Sequence, residues 1–304
     1  MKSLHFIKST TFLAIVTCVL WATAFVGIKV GLKYNMPLQF AGVRFFISGI
    51  IILPFIKNIR EKLPAAKKNV GKILLVGFIL TFMQYALFYS GMNLVPGALG
   101  AMIIGSGPLF IALVAHFLMP NDKLTRGKLF SILLGLSGVV IISLGRKGMG
   151  ATGEMVLVGI VILLLNNILS GFGNVIIARD KRKIPPLVLG SFSMIFGGAL
   201  LFVFGVIVEG YNPGPFPAEY YLSLGWLSFL SAAAISIWYT LLKRPEVVVS
   251  NLNMWKFIIP VLGAILSWLI LPNENPTAVA IAGMILVALA LFSLNLRIGS
   301  RFRK

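Results

Sequence analysis

Residues 108–121 read PLFIALVAHFLMPN, and residues 260–273 read PVLGAILSWLILPN. Each stretch opens on a proline, stays apolar and closes on Pro-Asn. They stand 152 residues apart in a chain of 304, and at the same offset Thr125 falls on Thr277. A second register lies earlier, where Met36-Pro37-Leu38 matches Pro185-Pro186-Leu187 at an offset of 149 and Gly49 falls on Gly198. Self-similarity at half the chain length predicts two copies of one unit, with halves at residues 1–148 and 149–304.

Hydropathy identifies that unit. The chain is 58% hydrophobic and 12% charged, with a mean hydropathy of +0.97. A helix crosses the hydrocarbon layer with roughly 20 apolar residues. Ten runs of about that length are predicted: Phe12 to Gly31, Leu38 to Ile56, Ile73 to Leu94, Ala98 to Met119, Leu129 to Gly145, Met155 to Ala178, Leu187 to Val208, Tyr220 to Leu242, Asn251 to Leu271, and Ala278 to Leu296. The longest charge-bearing link is Lys57 to Lys72, so no separate soluble domain is expected. Five spans per half is an odd number, and the second copy would enter the membrane from the opposite side. The predicted fold is an all-α integral membrane protein of ten transmembrane helices, arranged as two inverted five-helix repeats around a central cavity.

The net charge of +19 raises the question of nucleic acid, and the placement of the 27 Lys and Arg residues answers it. With the N-terminus inside, 21 of them fall in inner segments and only Lys33, Arg146 and Lys147 in outer ones. That bias is the positive-inside pattern, with both termini cytoplasmic in the cell inner membrane and no nucleic-acid partner. The first run follows Lys2 and Lys8 but continues to Gly31 without a small-x-small cleavage site, and so reads as a retained helix. One cysteine, Cys18, and two histidines, His5 and His116, offer neither a metal cluster nor a nucleophile with its base. No Walker loop is present. No cofactor and no enzymatic activity are expected.

Against this background the local motifs resemble the EamA family of the drug/metabolite transporter superfamily. The resemblance rests on Leu20-Trp21-Ala22-Thr23-Ala24-Phe25, on Pro37 followed by Arg44-Phe45, and on Tyr85-Ala86-Leu87-Phe88-Tyr89. It extends to Pro108 and Pro260 as mid-helix prolines and to Gly135 and Gly138 in the fifth span. One departure stands out. Members often carry a Gly-Glu-x-Leu-type corner after the fourth and ninth helices, where this chain has Pro120-Asn121-Asp122-Lys123-Leu124 and Pro272-Asn273-Glu274-Asn275. The resemblance implies export or exchange of small metabolites, often amino acids, held in a cavity between the halves.

Candidate site residues come from polar groups inside apolar runs. In the ninth run Asn253, Lys256, Pro260, Gly263 and Ser267 step by three and four residues onto one face. Pro260 has no N–H, which predicts a kink and a freed carbonyl at Lys256; Pro108 predicts the matching kink in the fourth run. Two readings of Lys256 are open, snorkelling to the inner headgroups or lining a cavity. Arg44 is about seven residues into the second run, and headgroup contact competes with a cavity role there. Lys29 is expected to snorkel outward. All eight Asp and Glu residues lie in loops or at span ends. Arg44 and Lys256 therefore read as unpaired cations that favour a carboxylate-bearing solute. Trp21, Gln84, Tyr85, Tyr89, Asn174, Trp238 and Tyr239 supply rings and amides at similar depths, either as a solute cavity or as interhelical hydrogen-bond partners. Asn166 and Ser170 share the Asn174 face.

The reading is a secondary transporter of amino acids or related carboxylates, by uniport or exchange because no acid is embedded to relay protons. Exchange of phosphorylated anions is the alternative within transport, and a receptor-like or structural bundle the alternative outside it. Its partners are a small-molecule substrate and the lipid bilayer, with monomer and homodimer both open.

Overall fold

Hydrocarbon offers a backbone no hydrogen-bond partners, so an apolar run of this length is stable there only as a helix. The computed structural model describes residues 9–144, 153–180, 184–272 and 274–299. The helices are α1 Thr10–Gly31, α2 Pro37–Ile52, α3 Ile59–Lys68, α4 Val70–Leu94, α5 Gly97–Leu118, α6 Arg126–Leu144, α7 Met155–Ala178, α8 Pro186–Glu209, α9 Ala218–Leu242, α10 Val249–Ile270 and α11 Ala278–Gly299. The described residues contain no strand. Eight of the helices, α1, α2 with its 3-10 extension to Phe55, α4, α5 and α7 to α10, are long and apolar enough to cross a membrane. α6, with Arg126 and Lys128 in its first turn, and α11, with a shorter apolar stretch Ala278–Ala290, fall outside those eight. Large apolar side chains on the outer surface, such as Ile207 at 76% exposure and Leu269 at 77%, need lipid rather than water around them. The chain is an all-α membrane protein.

The expected runs match helices to within a few residues. The link from Lys57 to Lys72 is not a plain loop, because it contains α3, a basic helix with Arg60, Lys62, Lys67 and Lys68. Of the expected topology charges, Lys2, Lys8, Arg146, Lys147, Lys181, Arg182, Lys183, Arg301, Arg303 and Lys304 lie outside the described residues. So do His5 and the boundary between residues 148 and 149.

Three spans are locally rewound. α4 has a π stretch at Gly77–Met83 immediately before Gln84. α5 breaks at Ser106, two residues before Pro108, into Gly97–Gly105 and Gly107–Leu118. α10 tightens into a 3-10 turn at Met254–Phe257, just before Pro260. The freed Lys256 carbonyl expected from Pro260 does not occur, because the amide of Ile258 turns back onto the carbonyls of Trp255 and Lys256. In α5 the Ile103 carbonyl takes the Ser106 hydroxyl at 2.6 Å and the Asn167 amide at 2.8 Å.

The helix pairing is the same when the first and second halves are exchanged. α2 packs on α8, α6 on α11 and α5 on α10; α1 meets α9 and α10, while α7 meets α4 and α5. Glycine marks the closest approaches. A methyl at Gly49 would lie 2.7 Å from the Ser191 carbonyl and 2.8 Å from the Ile195 nitrogen. At Gly198 it would lie 3.0 Å from the Gly42 carbonyl and 2.5 Å from the Phe46 nitrogen. Residues 42 and 191, 46 and 195, and 49 and 198 are each 149 apart, so the two glycines make one contact twice. Gly138 and Gly283 repeat the arrangement between α6 and α11.

Candidate functional site

Among the helices lies a cavity of about 140 Å³. Eight residues singled out in the sequence line it together: Trp21, Arg44, Gln84, Tyr85, Asn174, Trp238, Tyr239 and Lys256. They come from α1, α2, α4, α7, α9 and α10, so both halves contribute. Phe25, Leu80, Phe88, Ile104, Ile111 and Ile235 complete an apolar wall.

Lys256 reaches this cavity from the 3-10 turn of α10. Its ammonium nitrogen is 4.9 Å from the Trp238 ring centroid and 5.2 Å from that of Trp21. The two indoles meet edge to face at 5.0 Å and 61°, so they form two walls of a cation–π corner. Trp238 is fixed from behind, its indole N–H donating to Asn174 Oδ1 at 2.9 Å. Asn253 donates to the same oxygen at 3.1 Å and to the Val249 carbonyl at 2.9 Å. Asn253 thus buttresses the corner and does not line the cavity. Among the described residues the Lys256 ammonium has no hydrogen-bond acceptor, and no carboxylate lines the cavity.

Arg44 differs from the expectation of an unpaired cation. Its Nε donates to Ser231 Oγ at 2.9 Å and the Leu227 carbonyl at 3.2 Å, and Nη1 donates to the Tyr89 hydroxyl at 2.5 Å. The guanidinium lies 4.9 Å from the Phe45 ring and the residue is 3% exposed. Neutral oxygens and aromatic faces therefore hold the charge, which ties α2 to α4 and α9 while one edge still meets the cavity. Tyr89 serves Arg44 and is absent from the lining. Pro260 is buried with its ring against Gly105, at the crossing of α5 and α10, and Pro108 opens the second segment of α5.

One further expectation is corrected. Lys29 does not snorkel: its ammonium donates to the carbonyls of Met92 and Val95 at 3.1 and 3.0 Å, closing the end of α4. The acids Glu209 and Glu274 lie at a span end and in a turn, as expected, and each caps a helix. Glu209 accepts from the amides of Leu38 and Gln39, and Glu274 from those of Gly97 and Ala98, each at the start of a helix. His116 accepts from the Leu124 amide at 2.9 Å and shapes the turn after α5.

Asn166, Asn167 and Ser170 of α7 also line the cavity and were not carried into the predicted site. Their signal was an Asn-Asn pair inside an otherwise apolar run. Asn167 is engaged with the α5 break, whereas the Asn166 side-chain oxygen is buried without a donor among the described residues.

The profile of the EamA-like transporter family matches twice, at residues 8–144 and 157–296. The sequence is 28% identical over 309 residues to a probable amino-acid metabolite efflux pump of Escherichia coli strain K12, covering 96% of each chain. It is 24% identical over 274 residues to the uncharacterized transporter YoaV of Bacillus subtilis, covering 90% of this chain and 92% of that one. It is also 24% identical over 228 residues to the uncharacterized inner membrane transporter YedA of E. coli strain K12, covering 74% and 72%. A solved crystal structure shares the fold with a TM-score of 0.74 at 19% identity, over 97% of this chain and 99% of the other. An all-α membrane bundle, and a family profile that matches two segments covering nearly its whole length, make this chain a member of the EamA-like transporter family and a multi-pass membrane transporter.

Proposed function

We propose that the protein exports or exchanges amino acids or related carboxylate-bearing metabolites across the cytoplasmic membrane by alternating access. The observation that carries this reading is the Lys256 ammonium, held between Trp21 and Trp238 at the cavity wall without an acceptor among the described residues. A cation kept in a low-dielectric site without a protein counterion gains most from an anionic solute. An amino acid fits further: its carboxylate meets Lys256, its ammonium meets the donorless oxygen of Asn166, and its side chain meets Phe25, Phe88 and Ile111. The relative described as a probable amino-acid metabolite efflux pump supports the same class.

The halves at residues 1–148 and 149–304 act as two inverted five-helix repeats, with ten spans in all and both termini cytoplasmic. The duplicated profile match and the reciprocal glycine contacts support that arrangement. Arg44 donates through Nε and Nη1 to Ser231, Leu227 and Tyr89, and its remaining edge is left for an anionic oxygen at the cavity. The donorless oxygen of Asn166 suits the ammonium of an amino acid, a group that a simple phosphate ester lacks, and this favours amino acids over phosphate esters.

The test is counterflow in proteoliposomes. Vesicles loaded with unlabelled amino acids should accumulate labelled amino acid faster than empty liposomes, with amino acids and not phosphate esters competing. Flux equal to that of empty liposomes for amino acids and organic anions would refute the reading, and competition by phosphate esters alone would replace it with the anion exchanger.

A further inference from the structure

α5 and α10 are linked at both ends by a buried acid. In the turn after α10, Glu274 accepts from the amides of Gly97 at 2.6 Å and Ala98 at 2.8 Å, the first residues of α5. In the turn after α5, Asp122 accepts from the amide of Ser250 at 3.0 Å, at the start of α10. It also takes the Ser250 hydroxyl and the Lys128 ammonium, both at 2.6 Å. The two acids are 152 residues apart, the spacing of Pro108 and Pro260. Each belongs to one half of the chain and caps a helix of the other. The corners that depart from the family pattern in wording therefore keep a carboxylate at matching positions.

Geometry gives these caps a mechanical consequence. α5 and α10 run antiparallel, so Glu274 ties the halves at one face of the membrane and Asp122 ties them at the other. Between the two ends, Gly105 lies against the Pro260 ring at a close crossing of the helices. A rocking motion about that crossing separates one pair of ends and leaves the other together. Glu274 is 9% exposed and Asp122 3%, so these charge-assisted bonds are poorly screened. A carboxylate at a helix N-terminus is further held by the helix dipole.

We propose that Glu274 and Asp122 are positioning residues that latch opposite faces of the transporter, and that the balance between them sets which face opens. This inference rests on the alternating-access reading above. The two latches are unequal, because Asp122 has a direct ion pair to Lys128 at 2.6 Å and a hydroxyl in addition to a backbone amide, whereas Glu274 has two backbone amides and the charge of Lys29 nearby without a direct ion pair. The Glu274 face is the one that opens more readily in the natural protein.

A cap that merely stabilised the fold would give both variants the same phenotype, whereas latches give opposite ones. The experiment replaces the single cysteine by Cys18→Ala, places a reporter at the cavity with Ser170→Cys, and labels it with a membrane-impermeant maleimide from each side of oriented vesicles. Glu274→Gln should raise labelling from its own face and lower it from the other, changing the ratio about tenfold for loss of one charge-assisted interaction. Asp122→Asn should change the ratio in the opposite direction, and the double variant should return toward the starting value. If Asp122→Asn does not fold, Lys128→Met weakens the same latch while keeping its backbone cap, and should act in the same direction by a smaller factor. Labelling ratios that move together, or do not move, in well-folded variants would overturn the proposal. Opposite shifts in a protein that carries no carboxylate would leave the latches standing and remove the transport reading; unchanged ratios with intact transport would remove the latches alone.

Discussion

Substituting Lys256 by Met separates the role of its charge from the role of its stem. Methionine keeps a flexible apolar chain against Trp21 and Trp238 and removes the ammonium, which lies 5.2 and 4.9 Å from those rings. Two effects of opposite sign follow. The cation gains about 2 kcal/mol or less from the aromatic faces, and keeping it in a cavity without a carboxylate costs at least as much. The stability of the empty protein is therefore unchanged or higher. For a bound carboxylate the lost charge-assisted hydrogen bond is about 2 kcal/mol, which converts to roughly 30-fold weaker binding. Counterflow over a range of substrate concentrations should show KM raised by that factor, with thermal unfolding in detergent at or above the wild-type temperature. Lys256→Arg should recover part of the affinity by restoring charge. Wild-type KM for every carboxylate tested, in a folded Lys256→Met protein, would refute the assignment. So would a large fall in stability, because it would give the ammonium a structural partner instead of a solute.

Other outcomes follow from the same geometry. Asn166→Ala should reduce transport of an amino acid about tenfold while leaving its deaminated analogue unaffected, since only the former has an ammonium to meet the donorless oxygen; competition assays with the matched pair read this directly. Tyr89→Phe removes the hydroxyl that accepts from Arg44 at 2.5 Å, leaves a buried donor unmet and should lower stability by about 1–3 kcal/mol, with much smaller effect in an Arg44→Met background. Gly49→Ala and Gly198→Ala each drive a methyl into the backbone of the facing helix and should cost about 1–3 kcal/mol apiece, by similar amounts because the two contacts are equivalent; thermal unfolding compares them.

Fold class was legible in the sequence because a bilayer imposes a one-dimensional rule: a run of apolar residues about 20 long has few alternatives to a helix. The duplicated Pro-Asn corners likewise pointed to a repeat before any helix was placed. The aromatic and amide members of the site were legible because polar groups are costly in lipid, so those inside runs needed a shared polar surface. Periodicity also separates the faces of one helix, which placed Asn253 and Lys256 correctly on a common side. It could not say that the Asn253 amide would be spent on Asn174 and Val249 while Lys256 met no acceptor among the described residues.

Pairing between helices was not legible, for a reason that applies to several residues. Arg44, Lys29, Glu209 and Glu274 are satisfied by partners 45 to 187 positions away. Hydropathy scores such residues as exceptions without naming what resolves them. The carbonyl expected to be free at Lys256 was likewise absorbed by a 3-10 turn that the rule for proline in an α-helix does not contain.

From the sequence alone came the membrane, the helices, the expectation of a repeat and the set of polar residues that had to be explained. Only the tertiary structure divided that set, setting Asn253 behind Asn174 and outside the lining, tying Arg44 to Ser231 and Tyr89 at the wall, and leaving the Lys256 ammonium at the cavity with no acceptor among the described residues. The division depends on which helix ends meet across the bundle. That is fixed by close approach at residues such as Gly49, Gly198 and Gly105, whose distant partners leave no periodic trace in the chain.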